Sequence, residues 1–148
     1  MNISYLGIVN PEFPYVTGLL IPKSLAAYTF NIMTPDITTL DGNINMVNGD
    51  KFIAPENGVY RFCFSGAKLS VVHTAETQTF VVYNSESVGS NFKNVAVNLG
   101  KFGLVSSVSV ELTLETEDFL TLHVFTDIAT HGINYAEMIP VFAFGRIF

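Results

Sequence analysis

The sequence has no tryptophan, a single cysteine and few charged residues, which make up 14% of its 148 positions. One cysteine, Cys63, excludes an intramolecular disulfide, and its place inside a predicted strand indicates a small packed side chain rather than a reactive thiol. Soluble domains usually carry about 25% charged residues. The sequence therefore predicts a surface that is largely uncharged or is covered by association, and we expect association.

The charges that are present are mostly negative, and the positive ones are scattered. Seven lysines and arginines stand against thirteen aspartates and glutamates, which gives a formal net charge of -6. This excludes the basic patch that nucleic acid or an anionic membrane would need. No apolar run approaches the ~18 residues that span a bilayer. Pro11 and Pro14 interrupt an opening segment that lacks the cationic and apolar parts of a secretory signal, so we expect no signal peptide and no membrane insertion.

The hydrophobic pattern is that of short β-strands. At 107–114, Val108, Val110 and Leu112 share one face while the intervening residues are polar. A second alternating run at 119–125 follows an acidic turn, which predicts a hairpin. Further candidate strands lie at 27–33, 43–47, 50–53, 59–64, 79–83, 94–99 and 141–148. Because no helical period intervenes, the pattern predicts an all-β fold, a two-sheet antiparallel jelly-roll sandwich of about eight to ten strands.

Residues 1–24 differ from the rest because they combine three prolines with a high apolar content. Such a segment is too apolar to be a flexible linker. It predicts an amino-terminal apolar arm that packs on its own domain or on a neighbour. Residues 25–148 then form the jelly-roll domain.

Groups that could perform catalysis are few. The histidines are His73, His123 and His131, and no serine-hydrolase, zinc-protease or phosphate-binding motif is present. His123 lies between apolar residues of a predicted strand, where a structural or interface role is favoured over that of a general base. Asp127 and His131 lie in an irregular segment that gives a metal or acid–base pair no fixed geometry. The sequence therefore predicts a protein that is not an enzyme and needs no cofactor.

Two acidic turns are weak calcium candidates. They contain Asp36 and Asp41 in the first turn and Asp118 in the second. Neither turn has the alternating ligand spacing of a dedicated calcium loop. A solvated acidic turn is the favoured interpretation, and calcium remains an open alternative.

The segment FIAPENGVYRFCF at 52–64 joins two predicted strands around a rigid corner. Pro55 restricts its own backbone and that of the residue before it, and Asn57-Gly58 reverses the chain. This segment resembles the signature of the globular head domain of complement component 1q, a branch of the tumour necrosis factor-like jelly rolls. The matching residues are Phe52, Ala54, Pro55, Gly58, Tyr60 and Phe62. The run at 107–125 and the closing VFAFGRIF are similar to later parts of the same pattern, so the resemblance covers about residues 25–148.

The resemblance implies a ten-stranded jelly roll that assembles as a tight homotrimer and binds other molecules without catalysis. It also implies an extracellular setting, and some members of the family bind calcium. The 13 phenylalanines and six tyrosines agree with association, because a lone sandwich would leave some of these rings uncovered. The candidates for the trimer interface are Phe119, His123, Phe125, Phe142 and Phe144.

Two functions remain open at this stage. The first is a non-enzymatic homotrimeric recognition module that presents loops at 72–78, 84–91 and 127–135 to a protein or glycan partner. The alternative is a structural protein of a virus or phage particle, such as a spike, a fibre tip or a decorating subunit, because jelly-roll trimers also serve there. The resemblance favours an extracellular or virion-surface location.

Overall fold

The structure, a computed structural model, describes residues 12–21, 28–29, 31–68, 76–85, 91–101, 105–126 and 141–148. Within these ranges there are eleven β-strands and two single-turn 3-10 helices, Ile37–Thr39 and Ile44–Met46, and no α-helix. The strands are β1 (Tyr15–Leu19), β2 (Asn31–Ile32), β3 (Asp41–Gly42), β4 (Val47–Asn48), β5 (Lys51–Ile53), β6 (Gly58–Lys68), β7 (Glu76–Ser85), β8 (Asn91–Lys101), β9 (Val105–Leu114), β10 (Phe119–Thr126) and β11 (Val141–Arg146).

The strands form two antiparallel sheets. The first sheet has the order β3-β1-β11-β6-β9, and the second has the order β4-β5-β10-β7-β8. Because β7 pairs along the whole of β10, both β5 and β2 lie on the opposite edge of that strand, at residues 119–120 and 123–124 respectively. From β5 onwards the chain crosses repeatedly between the sheets, as in a jelly roll. The predicted all-β jelly-roll sandwich is thus confirmed.

Aromatic rings from both sheets fill the space between them. The ring centroid of Phe52 lies 4.8 Å from that of Phe62 and 5.0 Å from that of Phe142, in edge-to-face contacts. Tyr60 stacks on Phe144 at 5.3 Å. All five side chains are fully buried. Alternation along each strand explains this, because every second residue of β6 and β11 points into the sandwich.

The corner between β5 and β6 is tied to the turn before β10. The backbone N–H of Ala54 donates to the carbonyl oxygen of Asp118 at 2.9 Å, and that of Glu117 donates to the carbonyl oxygen of Ala54 at 2.8 Å. The Tyr60 hydroxyl donates to the carbonyl oxygen of Glu56 at 2.7 Å. The signature residues therefore hold two loops together and fill the core.

Gly58 occupies a position that no larger residue fits. A Cβ there would lie 2.7 Å from Cδ of Arg146 and 2.8 Å from the oxygen of Phe148. Arg146 cannot easily move away, because its Nε donates to that same oxygen at 2.7 Å and its Nη1 lies 3.4 Å from a carboxylate oxygen of Glu56. The close approach of an arginine side chain, and not a special backbone angle, requires glycine here.

The predicted arm at residues 1–24 needs correction. Its part from Tyr15 to Leu19 is β1, which lies between β3 and β11 inside the first sheet and pairs with residues 141–145 of β11. Val16 is fully buried in the core. Residues 15–19 therefore belong to the jelly-roll domain, while residues 1–11 and 22–24 lie outside the described ranges.

The predicted strand at 43–47 is also wrong in part. Asn43 accepts a hydrogen bond on Oδ1 from the backbone N–H of Asn45 at 3.2 Å, which caps the 3-10 helix Ile44–Met46. A short strand, β4, follows only at Val47–Asn48. Three of the eleven strands in the described ranges, β2, β3 and β4, are only pairs of residues, which alternation alone cannot reveal.

Candidate interaction surfaces

The first sheet has one side packed on the core and one side turned away from it, called here the outer face. Residue alternation and the strand register place on it Tyr15, Thr17, Leu19, Val59, Arg61, Cys63, Ser109, Glu111, Thr113, Val141, Ala143 and Gly145. Most of these side chains are small or apolar. Such a face differs from the charged outer surface that a solitary antiparallel sheet normally turns to water.

Two charges on the outer face form an ion pair. Arg61 of β6 lies directly opposite Glu111 of β9 in the register, and its Nε donates to a carboxylate oxygen of Glu111 at 2.9 Å. A second contact joins Nη2 of Arg61 to the same oxygen. Asp41 of β3, the register partner of Thr17, is exposed on the same side of the sheet, so the face carries one negative charge at its β3 edge besides this internal pair.

A row of small side chains crosses the outer face. Thr17, Ala143, Cys63 and Ser109 are successive partners on β1, β11, β6 and β9. Thr17 and Ala143 are fully buried, Cys63 is half-buried with its Sγ 3.5 Å from Oγ of Ser109, and Ser109 is exposed. Thr17 and Ala143 are thus already covered within one chain, and only the Cys63 and Ser109 end of the row has surface left for contact with another molecule.

Two long strands lie at one margin of the sandwich. β9, of ten residues, is last in the first sheet, and β8, of eleven residues, is last in the second. β8 and β9 together contain three charged residues, Lys93, Lys101 and Glu111. Long, weakly charged edge strands invite pairing with other chains unless something covers them.

The opposite margin exposes apolar side chains. Ile37 and Ile44 lie in the two 3-10 helices that flank β3, the other edge strand of the first sheet. They are 71% and 57% exposed. Exposed isoleucines beside an edge strand mark a second surface that association could cover.

Three of the five predicted interface residues are corrected by their burial. Phe142 and Phe144 are fully buried in the core of one protomer, and Phe119 is only 6% exposed, with Nζ of Lys51 4.4 Å from its ring centroid. Phe142 and Phe144 have no surface left for a neighbouring subunit because they belong to the core between the sheets. Phe119 lies outside that core cluster and retains little surface, with the Lys51 side chain over its ring.

The other two interface candidates remain predictions. His123 of β10 is half-buried, and its Nε2 lies 2.9 Å from Oγ1 of Thr121. It belongs to the second sheet, away from the outer face. Phe125 lies in β10, paired with Gln78, but its side chain is outside the described part of the structure.

The acidic calcium candidates each have a structural role. Oδ1 of Asp36 accepts hydrogen bonds from the backbone N–H and the hydroxyl of Thr38, at 3.0 and 2.7 Å, and so caps a 3-10 helix. Oδ1 of Asp41 accepts from the N–H of Gly42 at 3.0 Å, and Oδ2 of Asp118 accepts from the N–H of Glu115 at 2.9 Å. Among the described side chains, no three histidine, cysteine or acidic groups come close enough to hold a metal ion.

Several of the residues and loops singled out in the sequence lie outside the described ranges. His73 and His131 lie outside them, as does the predicted loop at 127–135, while the loops at 72–78 and 84–91 are described only where they join β7 and β8. None of the helices described is long and apolar enough to cross a bilayer.

The sequence predicted only part of the outer face. The alternation at 107–114 does place Ser109, Glu111 and Thr113 on one side of β9. The small residues on β1 and β11 carry no comparable signal, because the position of those strands inside the same sheet follows from pairing between distant segments.

With the fold and its surfaces described, the chain can be compared with known proteins. No family model and no curated protein sequence matches it. Among solved structures it is similar to the globular domain of zebrafish complement 1qA protein, with a TM-score of 0.60 and 16% identity, covering 91% of this chain and 98% of that one. It is also similar to murine APRIL at pH 5.0, with a TM-score of 0.57 and 12% identity, covering 91% and 99% of the two chains.

These likenesses define the fold class. The chain has a complement C1q/tumour necrosis factor-like jelly-roll fold, and the resemblance predicted from residues 52–64 is confirmed at that level. At these identities the likeness concerns the fold alone.

Proposed function

We propose that this chain is a non-enzymatic binding module that assembles as a homotrimer and presents its loops to a protein or glycan partner. The observation that carries the proposal is the outer face of the first sheet, whose side chains are mostly small or apolar and on which Arg61 and Glu111 form an internal ion pair. Likeness of fold to complement 1qA and APRIL supports a recognition module over an enzyme.

The margins of the sandwich supply a surface that complements the outer face. The edge formed by β8 and β9 is long, and an uncovered edge of that length can pair with other strands in water. If this edge packs against the outer face of the next copy, each contact joins two different surfaces. Copies joined in this way continue to add to one another until they close into a ring. The number three comes from the family resemblance.

The loops are the proposed place of partner binding. Segments that join the strands of a rigid sandwich can vary in sequence without disturbing the core, and recognition residues concentrate there. A trimer would present three copies of each loop, which raises the apparent affinity for a repetitive partner.

The first experiment measures molar mass in solution by light scattering after size-exclusion chromatography. We expect three times the 16.2 kDa of one chain. Ser109→Arg places a charge on the exposed part of the outer face and should shift the mass towards that of the monomer. The matched control is Asn48→Arg on β4, which is equally exposed but lies on the second sheet.

Each result bears directly on the proposal. A monomeric wild-type chain at every concentration would contradict the homotrimer. A trimer that Ser109→Arg leaves intact would remove the outer face from the interface. If Asn48→Arg dissociates the trimer as well, the effect comes from added charge and not from the surface assigned.

A further inference from the structure

A shallow groove opens where β1 begins, next to β3. Its volume is about 360 Å³, and it is lined by Glu12, Phe13, Pro14, Tyr15, Gly42 and Asn43. Small-molecule sites usually have volumes of about 300–1,000 Å³. The groove combines two aromatic rings with a carboxylate and an amide, a mixture that neither the core nor the outer face requires.

Both rings are held in place by contacts within the protomer. The guanidinium carbon of Arg146 lies 4.6 Å from the ring centroid of Phe13. The ring of Tyr15 lies against the backbone of Gly42, whose φ is +94°, and a Cβ there would be 2.6 Å from Cε2 of Tyr15. Gly42 is therefore required both by its backbone conformation and by the ring that covers it. Rings fixed in advance lose little conformational entropy when a ligand binds.

The polar groups of the groove offer one donor and one acceptor. Oδ1 of Asn43 is used in capping the 3-10 helix, where it accepts from the N–H of Asn45. Its amide NH₂ is left for another acceptor, since it makes no hydrogen bond within the described ranges. Glu12 is exposed and already has an interaction within the protein, and its carboxylate has enough lone pairs to accept a further hydrogen bond. No lysine or arginine lines the groove.

We propose that this groove binds a sugar ring of a neutral glycan. A pyranose has an apolar C–H face that packs on aromatic rings, and a rim of hydroxyls that both donate to carboxylates and accept from amides. The acidic lining and the chain's net charge of -6 disfavour sulfated or sialylated sugars. This inference rests on the proposed binding function and deepens it by naming a ligand class and a site.

The test uses the full chain and four probes, the methyl α-glycosides of glucose, mannose, galactose and N-acetylglucosamine. Saturation-transfer difference NMR should detect binding of at least one of them at millimolar concentration. Amide shifts in a ¹⁵N-labelled sample should be largest at Tyr15, Gly42 and Asn43. Shifts centred elsewhere, or no saturation transfer from any of the four, would overturn the proposal.

Two variants connect the binding to the groove. Asn43→Asp keeps an oxygen to cap the 3-10 helix but removes the donor NH₂, and Phe13→Ala removes one ring. Each should weaken sugar binding by about tenfold. The matched controls are Asn45→Asp and Phe148→Ala, which make the same chemical changes at exposed residues outside the groove lining.

The controls should bind the sugar as the wild-type chain does. If Asn45→Asp weakens sugar binding as much as Asn43→Asp does, the added charge is the cause. If Asn43→Asp binds the sugar as well as the wild-type chain does, the Asn43 amide is not part of the site. Stronger binding of a heparin disaccharide than of every neutral probe would also contradict the proposal.

Light scattering on the same samples separates this inference from the proposed function. A trimer that binds none of the sugars refutes the glycan site and leaves the binding module standing. A chain that binds a sugar as a monomer supports the groove and refutes the homotrimer.

Discussion

At the scale of single residues, Thr17 stands out because its side chain is fully buried although it points away from the core. Its hydroxyl makes no hydrogen bond within the described part of the chain. A buried hydroxyl without a partner costs about 1–3 kcal/mol relative to one that is satisfied. The unsatisfied Thr17 hydroxyl therefore lowers the stability of the fold.

We expect Thr17→Val to raise the free energy of unfolding by about 1 kcal/mol, because it replaces the hydroxyl by a methyl group of similar size. Urea denaturation followed by circular dichroism measures this change. The control, Thr17→Ser, keeps the hydroxyl and loses a methyl group, so it should lower the stability by about 1 kcal/mol. A valine variant no more stable than wild type would mean that the hydroxyl has a partner.

Tyr60 makes the free energy of unfolding depend on pH in the alkaline range. Burial raises the pKa of its hydroxyl above the ordinary value of 10.0. The folded state therefore disfavours the phenolate, and the stability that this difference contributes is full below pH 10 and is lost as the pH rises above it. We expect Tyr60→Phe to lower the stability at pH 8, through loss of the hydrogen bond to Glu56, and to reduce the further loss above pH 10.

Unfolding free energies of both chains between pH 8 and pH 11 measure this prediction. The control is Tyr28→Phe, which changes a ring that is 76% exposed and should leave the alkaline loss as it is in the wild type. Parallel curves for the wild type and Tyr60→Phe above pH 10 would contradict the role given to Tyr60.

At the scale of elements, the corner between β5 and β6 shows how a short sequence signature acts. Phe52, Tyr60 and Phe62 fill the core, while Ala54 connects the corner to the turn before β10. Gly58 leaves room for Arg146. The signature could be recognised in the sequence because its residues act within one short segment of the chain.

We expect Gly58→Ala to destabilise the fold by about 1–3 kcal/mol, because the new methyl group collides with Arg146. In an Arg146→Ala background the same substitution should cost less, since most of the obstacle is then gone. A double-mutant cycle from urea denaturation measures the coupling. An equal cost in both backgrounds would show that the oxygen of Phe148, and not the arginine, is the obstacle.

The sequence predicted strands well where alternation extends over many residues and poorly where pairing is short or distant. The runs at 59–64 and 107–114 were recognised because each has a clear apolar face, and both are now parts of β6 and β9. The segment 43–47 was misjudged because the capping of a 3-10 helix by Asn43 depends on the backbone turn there. The sequence predicted an arm where β1 lies, because the residues that pair with β1 are far away in the chain, at 141–145.

At the scale of the whole molecule, burial within one protomer changes what supports association. Phe119, Phe142 and Phe144, three of the rings proposed for the interface, are buried in one protomer and do not need a second copy to cover them. The outer face and the long edge strands now support association instead. The pairing of residues across strands, which defines that face, could not be read from composition.

The proposed trimer should resist salt. Because Arg61 and Glu111 form an ion pair within the outer face and most of its other side chains are uncharged, burial of apolar surface and not attraction between charges would hold the copies together. We expect light scattering to give the same molar mass at 0.1 and 1 M sodium chloride. Dissociation at the higher concentration would indicate an electrostatic contact and so a different interface.

The pairing of β1 with β11 also determines when the first sheet can be completed during synthesis and folding. Residues 15–19 leave the ribosome long before residues 141–145, yet each needs the other to complete the first sheet. Contacts so distant along the chain slow folding, and β-sandwiches rich in them fold in about milliseconds to seconds. Until β11 is made, the first sheet lacks the strand that joins β1 to β6, so the sandwich can close only when synthesis is nearly complete.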